Sequence, residues 1–127
     1  KIGFSLMDYY KHFALTGITT SANTLKNNPD VIKKFLAAMT EAVQVFYSNK
    51  ETALRSAQKQ FPKVDKRILE AAINRLSMDK IYPSCLEMRD DSWDASILLR
   101  RGNGDLTKNV NPMTYYVNNS FSKAYCK

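Results

Sequence analysis

Asn28-Pro29-Asp30 stands immediately ahead of a run in which Val31, Phe35, Met39, Ala42 and Phe46 recur at steps of three and four, flanked by Ile32, Leu36 and Val43. That spacing puts the apolar residues on one broad face of an α-helix of about five turns. No other feature constrains the fold as much, because a face of this width must be covered by another element. Its start is well marked: asparagine is a favoured N-cap, proline is tolerated in the first turn, and Asp30 complements the helix dipole. Ser48 and Glu51 form a capping-box pair, which predicts a second helix directly after the first. Ala53, Leu54, Ala57 and Phe61 carry its buried side, and Pro62 marks its end. Asp65 caps a third helix with Ile68, Leu69, Ala72, Ile73 and Leu76 on one side. Three helices in succession, joined by short turns, make one packing unit.

The residues ahead of this block read as strand. Ile2, Phe4 and Leu6 alternate with small or polar partners, a period of two. Asp8-Tyr9-Tyr10-Lys11-His12 interrupts the alternation, and Phe13 to Ser21 is again rich in apolar and β-branched residues around Gly17. Past the helical block, Ile81-Tyr82-Pro83 reads as a short extended piece. Asp91 or Ser92 caps a fourth helix containing Trp93, Ile97 and Leu98, with Arg100 and Arg101 in its last turn and Gly102 as its stop. Gly102-Asn103-Gly104-Asp105 is loop chemistry, and Phe121, Ala124 and Tyr125 return to helical spacing near the end.

Composition bounds the possible roles. The chain has 127 residues, 44% of them hydrophobic and 24% charged, which suits one modest globular domain or a piece of a larger one. Nineteen Lys and Arg against twelve Asp and Glu give a net charge of +7. The basic residues are scattered in ones and twos, as at Lys33-Lys34, Lys66-Arg67 and Arg100-Arg101, with acids between them. No basic arm results, and no nucleic-acid partner is expected. No apolar run approaches the roughly 20 residues that span a bilayer, so no transmembrane segment is expected either. The sequence opens on Lys1 with no initiator Met and no secretory-type leader, as expected of a chain cleaved or cut from a longer one. Cys85 and Cys126 fit no metal spacing, and with a single histidine, His12, neither a metal site nor a cofactor is expected. Whether the two cysteines pair or remain free thiols is open at this level.

A search for chemistry finds no catalytic constellation. There is no nucleophile elbow, no phosphate-cradling glycine motif and no dinucleotide fingerprint. Asp90-Asp91 reads as the exposed start of a helix. Asn118-Asn119-Ser120 matches a glycosylation acceptor, a pattern too short to use by itself. The candidates for ligand contact are Asp8, Tyr9, Tyr10 and His12, because aromatic rings beside a few polar groups are the usual lining of a small-ligand pocket. Against that stands the plain reading that one tyrosine packs and the other faces solvent.

Three stretches, in order, resemble the nitrate/sulfonate/taurine-type binding proteins, the group also called NMT1/THI5-like. They are Thr16 to Ser21, Lys26 to Glu51 with its Asn-Pro-Asp helix start, and Trp93 followed by Gly102-Asn103-Gly104-Asp105-Leu106 and Tyr116 to Phe121. The resemblance covers nearly the whole chain but only the last third to half of a usual family member. It implies an α/β, helix-rich fold: part of a type II periplasmic binding protein, with residues 1–27 as hinge and crossover strands and 28–127 as the helical C-terminal part of the first lobe. It also implies a solute-binding component of an ABC importer, holding a small organic or anionic nutrient between two lobes for a membrane permease, in the periplasm or another extracytoplasmic space. Asp8, Tyr9, Tyr10 and His12 would then lie near the hinge. The alternatives are a thiamine pyrimidine-precursor synthase of the same fold, whose cysteine-rich motif is not matched here, and a basic helical interaction module.

Overall fold

The computed structural model of the chain describes residues 9, 12–14 and 16–126. In order they form α1 (Ala22–Asn27), α2 (Pro29–Ser48), α3 (Lys50–Gln60), α4 (Lys66–Met78), α5 (Asp90–Gly102), α6 (Met113–Tyr116) and a 3-10 turn at Lys123–Tyr125. Helix makes up 61% of the structure, and no strand or sheet is present among the described residues. The expected α/β class is therefore overturned, and with it the partial type II binding-protein fold of hinge crossover plus lobe. The physical reason is visible between Thr16 and Ser21, where strand was expected and every residue is exposed. β-branched residues make a strand only where a neighbour takes the backbone N–H and C=O groups and one face is buried. The alternation at Ile2, Phe4 and Leu6 lies outside the described residues.

The chain divides into two units, one of Asn28–Leu86 with Phe121–Lys127 and one of Lys1–Asn27 with Glu87–Ser120. The first contains the three successive helices expected from the periodicity, α2 packing on α3 and α3 on α4. Their starts are defined by short polar side chains. The Asp65 carboxylate accepts from the Arg67 backbone N at 2.7 Å and begins α4. Asn49, rather than Ser48, caps α3, its Oδ1 accepting from Thr52 N at 2.9 Å. Asn28 stands at the start of α2 without a side-chain cap bond, so Pro29 and Asp30 carry that start.

The buried apolar side chains of this unit are Leu36, Leu69 and Ile73. The inward stripe of α2 runs through Ile32, Leu36, Met39, Val43 and Phe46, displaced by one residue from the expected Val31–Phe35 edge. Val31 and Phe35 are 59% and 48% exposed. The far end of α2 holds the segment after α4: Tyr47 Oη donates to Tyr82 O at 2.7 Å and accepts from Tyr82 N at 3.1 Å. Phe46 packs edge-on against the Tyr47 and Tyr82 rings, with centroids 5.1 and 4.9 Å away. Beyond that point the unit is closed covalently by a Cys85–Cys126 disulfide with a sequence separation of 41. The terminal segment is also tied to α2, because Tyr125 Oη donates to Lys33 O at 3.0 Å.

The second unit contains α1, α5 and α6. The sequence pattern did not predict α1; Ser21 begins it, its hydroxyl accepting from Thr24 N at 3.0 Å. In α5, Asp90 and Asp91 occupy the first turn and Arg100 and Arg101 the last, both favourable to the helix dipole. Gly102 is the last residue of that helix rather than its stop. The left-handed position falls to Gly104, with φ +80°, where Asp105 N and Leu106 N reach back to Arg100 O at 2.9 and 3.2 Å.

Candidate functional site

Of the four ligand-contact candidates, Tyr9 and His12 are described, and Asp8 and Tyr10 lie outside the described residues. Tyr9 sits in a turn with its ring exposed, and His12 is exposed at a bend. The backbone just beyond His12 is fastened to α5 by Ser96, whose Oγ is 3.0 Å from Ala14 O and 2.8 Å from Ser92 O. This attachment brings His12 near the start of α5, which sequence separation alone did not reveal.

Two charged groups define that start. Arg89 donates to Asp91 through Nε to Oδ1 at 2.9 Å and Nη2 to Oδ2 at 2.8 Å. The forked guanidinium matches the carboxylate edge to edge, the strongest geometry open to such a pair. The Arg89 hydrogen bonds hold the Asp91 carboxyl down at about 2, with further lowering from the Arg89 charge, the Ser92 N–H and the charge of His12. The same pairing raises Arg89 above the ordinary guanidinium range. Asp91 is thus a fixed anion beside an exposed histidine.

The same unit carries a cluster of rings. Trp93, on the first turn of α5, stacks on Tyr116 with centroids 5.6 Å apart and planes 25° apart. Tyr115 meets Tyr116 edge-on at 5.0 Å and 75°. Tyr115 and Tyr116 are 74% and 52% exposed. Offset and edge-on rings of this kind attract through their quadrupoles, and their open faces suit planar or sugar-like solutes. Asn119 sets the segment after α6, its Nδ2 donating to Met88 O at 2.8 Å and its Oδ1 accepting from Met88 N at 3.1 Å.

The arrangement can stack a ring and offer hydrogen bonds beside a buffered pair of charges. The sequence reading places Trp93 in a helix and Tyr115-Tyr116 in the tail without joining them. The missing link is the Asn119–Met88 pairing, which no local pattern announces. Comparison with family models, curated proteins and solved structures gives no match.

Proposed function

We propose that this chain is part of the solute-binding component of an ABC importer, which captures a small organic or anionic nutrient reversibly and passes it to a membrane permease. The observation that carries this reading is the order of α2 and α3. A 20-residue helix opens on Asn28-Pro29-Asp30 and is followed at once by an Asn49-capped helix, as the resemblance to the nitrate/sulfonate/taurine-type binding proteins requires. The Cys85–Cys126 disulfide supports an extracytoplasmic address, because disulfides persist in oxidising compartments. Among the described residues no helix is long and apolar enough to cross a membrane. The rings of Trp93, Tyr115 and Tyr116 and the exposed His12 are the groups we assign to solute contact.

Deletion of the gene tests this reading. Uptake of labelled nitrate, sulfonates, taurine and pyrimidines is measured in the deletion strain and after re-expression. Loss of uptake of one class, restored by the intact gene and not by a Trp93→Ala, Tyr116→Ala version, is expected. Unchanged uptake of all classes contradicts the proposal.

One observation favours a second reading. Val31, Phe35, Phe61 and Ile68 leave large apolar side chains exposed on the helical unit. Exposed apolar groups in such number suit a helical module that docks on another polypeptide. Under that reading the deletion strain keeps its uptake.

A further inference from the structure

Two adjacent asparagines after α6 have opposite surroundings. Asn119 is half-buried and committed on both polar atoms to the Met88 backbone. Asn118 is exposed, and its carboxamide oxygen accepts from Ser120 N at 3.0 Å and from Ser120 Oγ at 2.7 Å. Its Nδ2 hydrogen-bonds no other described residue. Asn119 therefore pins the segment while Asn118 presents an open amide nitrogen, with the serine hydroxyl two residues on already engaging its oxygen. The residue between, Asn119, is not proline, so the tripeptide can adopt this turn. The segment lies outside any helix, between α6 and the terminal 3-10 turn, and Asn118 itself is exposed.

We infer that Asn118 is an N-glycosylation acceptor. The donor class is an oligosaccharide on a polyprenyl pyrophosphate, presented by an oligosaccharyltransferase on the export side of a membrane. The Asn118 Nδ2–C1 bond forms as the C1–O bond to pyrophosphate breaks. The bonding pair leaves on the pyrophosphate, and one Nδ2 proton passes to a base of the transferase. The inference rests on the extracytoplasmic address proposed above and is independent of any solute.

The test exports the full chain through a secretory compartment that contains an oligosaccharyltransferase, as wild type and as Asn118→Gln, Ser120→Ala and Ser120→Thr. Intact mass, peptide mapping after glycoamidase, and the state of Cys85 and Cys126 are read on each sample. The expected result is a hexosamine-containing adduct on Asn118 in the wild type and Ser120→Thr, absent from the other two, with glycoamidase leaving Asp at that position. An unmodified wild-type Asn118 overturns the inference. If the disulfide has nevertheless formed, the extracytoplasmic reading survives that failure; if it has not, both fall. An adduct that persists in Asn118→Gln also overturns it.

Discussion

Breaking the Cys85–Cys126 bond should cost this chain as much stability as truncating one of its buried core side chains. The bond closes a loop with a sequence separation of 41 and joins the segment after α4 to the terminal turn. In the chain-entropy account, a loop of that length restricts the unfolded ensemble by about 13 cal/mol/K, or roughly 4 kcal/mol at room temperature. Domains of this size have total stabilities of about 5–15 kcal/mol, so the effect is a large fraction of the whole. The folded state loses little directly, because Tyr125 Oη still donates to Lys33 O and Ser122 remains buried at first. That hydrogen bond is worth about 1 kcal/mol, too little to hold the segment once the covalent tie is gone. Urea unfolding of the oxidised protein, the reduced protein and the Cys85→Ser, Cys126→Ser double variant gives the magnitude, and hydrogen exchange over residues 121–126 locates it. We expect a loss of about 2–5 kcal/mol and faster exchange confined first to the terminal segment. Equal midpoints for the oxidised and reduced forms would refute the reasoning, as would a Tyr125→Phe change that costs as much as losing the disulfide.

Three further outcomes follow from the same structure. Leu36→Ala should cost about 2–5 kcal/mol, while Phe35→Ala, at a side chain 48% exposed, should cost about 1 kcal/mol in the same denaturation assay; the reverse order would put the α2 stripe back on its expected edge. Asn49→Ala should lose about 1 kcal/mol and Ser48→Ala almost none, which decides by chemical denaturation which residue caps α3. Carboxyl titration by NMR should place Asp91 near 2, below the ordinary aspartate value of 3.8, and Arg89→Gln should raise it. Because the folded value is the depressed one, the stability contributed by this pair is present above about pH 4 and is lost as pH falls through about 2. An Asp91 midpoint unchanged by Arg89→Gln would remove the ion pair from the account.

Helices were legible in this sequence wherever period and cap agreed. The α4 start at Asp65 is an example, since one carboxylate satisfies a first-turn N–H and nothing distant is needed. The face of α2 was harder, because the sequence pairs apolar neighbours at Val31-Ile32 and Phe35-Leu36. Two overlapping stripes about 100° apart result, and the packing of α3 selects one of them. The strand reading of Thr16 to Ser21 failed for a related reason: β-branched composition reports suitability for a sheet, and the sheet must come from elsewhere. The Ser21 cap that starts α1 was readable and was masked by that composition. The candidate site was legible in part. His12 and Tyr9 stand out as residue types, but the placement of His12 depends on the Ser96–Ala14 contact, at a sequence separation of 82. The Trp93–Tyr116 stack depends likewise on Asn119. The disulfide could not be read at all, since two cysteines carry no local pattern that distinguishes pairing from freedom.

The central claim is that this chain belongs to an exported solute-capturing component that engages a membrane permease. The most direct measurement is crosslinking in intact cells, followed by recovery with an antibody to residues 28–86 and identification of the crosslinked partner by mass spectrometry. The account predicts an extracytoplasmic species that carries the Cys85–Cys126 disulfide and is joined to the permease subunit of an ABC importer. Recovery from the cytosol with both thiols free and no permease attached would contradict it.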